Sequence, residues 1–263
     1  MEEIDGLARR GLPIDTDPMV IAPIVQESGR RLLGEQAPGL PDEVAAALVA
    51  LAGDHPAALT ELTRSLTPEQ LRGDTPPPST LPPGSEVARA CRAALAELPD
   101  RTSHLLLLAA ADPDLTVSEL RETSGEDVSR DLAPAEDRGL LLVTEDTIRF
   151  SPVVLRSVVY FDAPLGRRQA AHTVLADVLH RRGQSLRSLL HRAAVATPAD
   201  EDLAGALRLA ARDGPPRLAS AAFRYAAELT ACPETAASTL VDAARQAWLA
   251  GERQRATHIP NAK

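Results

Sequence analysis

The sequence predicts a mainly α-helical protein carrying a single β-hairpin near its middle. Three observations point there. Apolar residues make up 44% of the 263-residue chain and aromatics only 2%, so the core must be filled by Ala, Leu and Val, which suit close helix packing. Helix-length amphipathic windows recur along the chain, opened by Pro or acidic residues and closed by Gly or Pro. One segment alone, "LLLVTEDTIRF" at Leu140–Phe150, reads as strand, short polar turn, strand.

The first helix is "DPMVIAPIVQESGRRLL", Asp17–Leu33, with Met19, Ile21, Ile24, Val25, Leu32 and Leu33 apolar and Arg30 and Arg31 near its end. Pro23 is expected to end or displace its first turn. The second, "GLPDEVAAALVALAG", sets Pro41 at a first-turn position, Asp42 and Glu43 near the positive end of the helix dipole, and Gly53 at the stop. After Gly53, Asp54, His55 and Pro56 the apolar pattern resumes, so this break reads as a helix end followed by a new start. Between Thr67 and Ser85, Pro76, Pro77, Pro78, Pro82 and Pro83 forbid continuous helix. A domain boundary is expected here, either as a linker or as a strap across the next unit.

Four helices follow: "SEVARACRAALAEL", "DRTSHLLLLAAA", "TVSELRETS" and "DVSRDLAPAEDRG". With the hairpin after them they make the winged-helix order. From Val153 to Ala256 the chain reads as helix throughout, with stops at Gly183, Pro198, Gly214 to Pro216 and Pro233. Helices of this length with short turns point to helix-pair repeats, because one pair alone cannot bury its apolar face. Phe223, Ala226, Ala227 and Leu229 form one apolar arc, and Ala244, Ala247 and Trp248 another, a pattern like that of tetratricopeptide repeats.

Composition excludes several functions. A net charge of −9 and a pI near 5.2 argue against a general polyanion binder. Lys263 is the only lysine, and the Arg, Ala, Pro and Gly bias points to a high-GC bacterial genome. Cys91 and Cys232 stand far apart, so neither a disulfide framework nor a zinc site is indicated and both read as buried apolar thiols. No run approaches the roughly 18 apolar residues of a membrane span, and "MEEIDG" is unlike a signal peptide. A cytoplasmic location is expected.

Five ordered words give the chain a resemblance. They are "GDHPAALTEL" at Gly53–Leu62, "LTPEQLRG" at Leu66–Gly73, "LPDRTSHLLLLAAA" at Leu98–Ala111, "EDRGLLLVTEDTIRFSPVVLRSVVY" at Glu136–Tyr160, and "RRQAAHTVLADVL" at Arg167–Leu179. In this order they resemble the large LuxR-type bacterial regulators of the STAND class, similar to the maltose regulator and numerous in actinobacteria. The resemblance covers about Gly11 to Ala256 and implies four parts: residues 1–66 as the helical lid of a nucleotide-binding module, 67–84 as a Pro-rich linker, 85–164 as a winged-helix domain, and 165–263 as incomplete helical repeats. Only the middle of the family's order is visible. No Gly-x-x-x-x-Gly-Lys-Ser/Thr loop occurs to cradle phosphates, and no helix-turn-helix comes after "THIPNAK", so the reading is a natural fragment, a split gene product or a shortened chain. Ser151, Pro152 and Val153 replace the family's Arg-His-Pro word, while Arg156 and Ser157 match residues on its C-terminal side.

For sites, the resemblance makes Gly53, His55 and Pro56 a vestigial nucleotide corner, whereas the residues themselves need only a helix junction. His55 lacks any assignable nucleophile or orienting carboxylate. No catalytic residue, metal ligand or cofactor is assigned, ATP or ADP entering only if a P-loop module is supplied elsewhere. Arg167, Arg168, Arg181 and Arg182, with Arg187, Arg192, His172, His180 and His191 nearby, form the one basic region and a candidate partner surface. In the expected recognition region, Thr116–Gly139, seven acidic residues face three arginines, Arg121, Arg130 and Arg138, which repels phosphate. The expectation is a non-enzymatic regulator acting through a protein or a small effector held by its repeats, with no direct DNA or membrane binding. The alternative is a free-standing DNA-binding winged-helix regulator.

Overall fold

The computed structural model describes residues 18–125, 127–197 and 199–251. Among them the chain is mainly helical, with fourteen helices and one antiparallel hairpin. Helix α1 (Pro18–Gln36) runs through Pro23 without a break. The proline forfeits the bond its amide would have made to the carbonyl four residues back and crowds that carbonyl, but it stands near the start of the helix, and the turns after it carry the helix on.

Helices α2 (Asp42–Ala52) and α3 (Pro56–Ser65) meet at the Gly53 corner and pack on α1. The Pro-rich segment holds a short helix, α4 (Pro68–Arg72), set by a capping box between Thr67 and Gln70. Further along, Leu81 is buried in the same apolar core as Leu66 and Val87. The segment therefore packs across its neighbours, and the core continues through the boundary expected there. Glu61 of α3 strengthens that continuity. Its carboxylate accepts the Ser85 hydroxyl and the backbone amides of Glu86 and Val87 at 3.1 and 3.3 Å, capping α5 (Glu86–Ala96) from outside.

Helix α6 (Asp100–Ala111) is the centre of this core: Leu105 to Ala110 are buried without interruption, so all its faces are covered. Around it lie α7 (Val117–Ser124), α8 (Val128–Glu136), β1 (Leu141–Thr144), β2 (Thr147–Phe150), α9 (Leu155–Asp162) and α10 (Leu165–Arg181). The hairpin pairs Leu141 with Phe150 and Thr144 with Thr147, and a lone antiparallel bridge joins Thr147 to Thr116, just before α7.

A second core, from Ala193 to Ala243, is built by α11 (Ser185–Ala193), α12 (Glu201–Ala211), α13 (Pro216–Leu229) and α14 (Pro233–Leu249). Its fully covered alanines, Ala204, Ala211, Ala219, Ala222, Ala226 and Ala243, let neighbouring helices approach closely. The division between the cores falls between Leu179 and Ala193. Helix α10, expected among the repeats, thus gives Ala171, Leu175 and Leu179 to the first core while packing on α11.

Two expectations fail locally. Trp248, placed on an apolar arc, is 57% exposed, because Ala243 and Ala247 hold the inward face of α14. Cys232, expected to be buried, is exposed: it is the residue that caps α14, ahead of Pro233. The tail "THIPNAK" and Asp17 lie outside the described residues.

Candidate functional site

The joint between the two cores is polar and buried. Asp112 ends α6, Glu119 is the third residue of α7, and Arg187 and His191 sit four apart on α11 and so share one face. Arg187 spans both carboxylates. Its Nη2 and Nε donate to Asp112 Oδ2 at 2.7 and 3.2 Å, and its Nη1 and Nη2 donate to Glu119 Oε1 and Oε2 at 2.8 and 3.2 Å. The three side chains keep 11%, 7% and 2% of their surface for Arg187, Asp112 and Glu119, so the ion pairs are shielded from water.

Each carboxylate is also held by its own backbone. Asp112 Oδ1 accepts the Asp114 amide at 2.9 Å, and Glu119 Oε2 accepts the Thr116 amide at 3.0 Å within a capping box. The α7 N-terminus and the α6 C-terminus therefore hold the acidic half by bonds that do not involve α11. Gln184 bridges the basic half, accepting from Arg187 Nη1 at 3.2 Å and donating to Glu119 Oε1 at 3.4 Å.

From Asp112 a single chain of hydrogen bonds runs inward. His191 Nε2 lies 3.1 Å from Asp112 Oδ2, His191 Nδ1 lies 2.7 Å from His172 Nδ1, and His172 Nε2 lies 2.8 Å from the Tyr160 hydroxyl. These four residues come from α6, α11, α10 and α9. Arg168 covers the Tyr160 ring at 5.5 Å. Burial pushes the Asp112 carboxyl up, but the His191 hydrogen bond and the Arg187 charge outweigh it and hold the group at about 2. Burial first, then the charge of His191, holds His172 down at about 4.

A tyrosine, two imidazoles and a carboxylate in series can pass a proton along their bonds, but catalysis needs a place for substrate. Neither of the two clefts that stand out is lined by a member of this chain. One, of about 230 Å³, is lined by Asp100, Ser103, His104, Leu107, Arg167 and Ala170, and the other lies between α12 and α14. The arrangement ties the ends of α6 and α7 to α9, α10 and α11.

The basic region read from sequence is dispersed. Arg182 pairs with Glu122 of α7, Arg168 covers Tyr160, Arg167 lines the smaller cleft, and Arg181 is exposed on α10. Only Arg187, His172 and His191 of that region enter the joint, and sequence reasoning misses Asp112, Glu119 and Tyr160 as their partners. The spacing of Arg187 and His191 on one helix face is the signal that could have found them. At the other end of the chain, Gly53 caps α2 and Pro56 opens α3. His55 Nδ1 accepts the Ala58 amide at 3.2 Å as the α3 cap. Each of the three thus has a structural task in the helix junction.

Comparison with protein-family models, with curated proteins and with solved structures finds no match to this chain.

Proposed function

We propose that the chain is a non-enzymatic signal-transduction module of the LuxR-type STAND regulators, in which a winged-helix unit is fixed to a helical-repeat sensor and works through protein or effector contact. The order α6, Thr116–Thr147 bridge, α7, α8 and hairpin supports a winged helix. The packing of each helix from α10 to α14 on the next in sequence supports repeats.

The observation that carries the reading is the Arg187 bridge to Asp112 and Glu119. It commits the end of α6 and the start of α7 to α11, so movement in the repeats reaches the winged-helix unit through paired charges. The same commitment weighs against DNA reading. Glu119 and Glu122 of α7 hold Arg187 and Arg182, while Arg138, beyond α8, pairs with Glu97.

Titration calorimetry of the whole chain with ATP and ADP, beside a binding selection on random duplex DNA at low salt, tests this. The expected result is no micromolar nucleotide binding and no enriched sequence. Micromolar nucleotide binding overturns the reading that nucleotide competence is absent, and a selected, salt-sensitive DNA site replaces the contact module with the DNA-binding regulator.

A further inference from the structure

We infer that the cleft between α12 and α14 is a binding site for a small molecule bearing an oxyanion, a phosphate monoester or a carboxylic acid. The cleft has a volume of about 350 Å³ and is lined by Arg208, Arg212, Phe223, Asp242, Arg245 and Gln246. Three arginines thus face one aspartate in a chain whose net charge is −9.

The arginines differ in their state. Arg245 is engaged by Asp242 one turn back on α14, Nη2 to Oδ1 at 2.7 Å. Arg208 acts electrostatically on Glu201, seven residues back at the start of α12, while its Nη1 is buried and has no hydrogen-bond partner among the described residues. A guanidinium with an unmatched donor costs free energy, and an anion that draws the Arg208 side chain into the cleft would recover it. Arg212, the residue that caps α12 in helical conformation, lies four residues beyond Arg208, so two like charges share one side of the helix end, a spacing that is unfavourable unless a counter-charge lies between them.

The chemistry of the lining selects the ligand. Guanidinium forks match the paired oxygens of a carboxylate or phosphate. Gln246 adds a neutral donor and acceptor, and buried Phe223 of α13 supplies an apolar surface for the carbon part of the ligand. The volume is that of a small metabolite site. The site rests on this geometry alone and stands whether or not the regulatory reading above holds.

The test is calorimetry and thermal unfolding of the whole chain with inorganic phosphate and with citrate, against sodium chloride at matched ionic strength. Saturable binding with a raised Tm is expected for one or both anions, and the preferred one identifies the headgroup. Arg208→Gln should weaken binding about tenfold or more, the loss of one charge-assisted hydrogen bond. Arg212→Gln, at an exposed position that leaves folding intact, should weaken it about threefold, while Arg181→Gln on α10 changes nothing. Overturning results are a Tm rise equal to that in sodium chloride, or phosphate and citrate binding unchanged in both Arg208→Gln and Arg212→Gln.

Discussion

The imidazoles of His172 and His191 meet Nδ1 to Nδ1 at 2.7 Å, a contact that requires one of the two nitrogens, and not both, to carry hydrogen. Asp112 decides which. As a carboxylate held at about 2 it can only accept, so His191 donates from Nε2. With both rings neutral, His191 Nδ1 accepts from His172 Nδ1, and His172 Nε2 accepts from the Tyr160 hydroxyl. One carboxylate thereby orients three residues on three other helices, across the division between the two cores.

That order is pH-sensitive in a defined sense. His172 titrates near 4 in the fold against 6.5 for the free side chain, so between these values the unfolded chain binds more protons. Stability must fall as pH drops from about 6.5 to about 4. Asp112 adds a second loss, as pH falls from 3.8 through about 2. Urea unfolding from pH 8 to pH 4 should show the first loss in the native chain and lose it in His172→Gln. Equal pH slopes in the two proteins would refute the assignment.

Arg187 is the residue on which the joint depends. Arg187→Met leaves the Asp112 and Glu119 carboxylates buried without a counter-charge, a cost of about 3–5 kcal/mol. Arg187→Lys keeps the charge but not the fork, and should fall between the two. Adding Asp112→Asn and Glu119→Gln to Arg187→Met should restore part of the loss, because the carboxylates and not the missing guanidinium carry the penalty. Urea midpoints of the four proteins measure this. A Met variant within about 1 kcal/mol of the native chain would show that the bridge is not needed.

The helices, their stops and the hairpin were legible because each carries a local signal: Pro41, Gly53 and Gly183 at ends, and alternation in "LLLVTEDTIRF". The joint was not. Glu119 reads locally as a capping-box residue of an acidic region and Arg187 as one of many arginines, and only the docking of α11 onto α7 brings them together across 68 positions. The Pro-rich segment was half legible. Its prolines excluded a long helix, but the burial of Leu81 depends on a core that local sequence does not display. Trp248 shows the same limit from the other side: a helical arc identifies apolar residues, and the small residues Ala243 and Ala247 decide which face turns inward.

The Gly53 corner makes a prediction about packing. A Cβ on Gly29 of α1 would lie 2.6 Å from the Gly53 carbonyl oxygen and 3.0 Å from Val49 Cγ2, so α1 crosses the end of α2 at backbone contact. Gly29→Ala should cost about 1–3 kcal/mol. Gly53→Ala should cost a similar amount, about 1–3 kcal/mol, because its φ of 64° and ψ of −135° suit only glycine. His55→Ala, which loses one cap hydrogen bond, should cost at most about 1 kcal/mol. If the corner serves only as a junction, any Tm shift with ATP is the same in the native chain and in His55→Ala.

The two thiols should differ in reactivity. Cys232 is exposed at the start of α14, where hydrogen bonds from the Thr235 side chain and then its backbone amide lower the thiol below its ordinary value. Cys91 is buried on α5, and burial raises it. Because the thiolate is the nucleophile, a disulfide reagent at pH 7.5, about a unit below the free-thiol value, should titrate one fast and one slow group. Cys232→Ser should abolish the fast phase and leave the slow one. The slow phase should accelerate in urea as the first core opens and Cys91 is released. Two phases of equal rate in the native chain would mean that Cys91 is not covered by α9 and its neighbours.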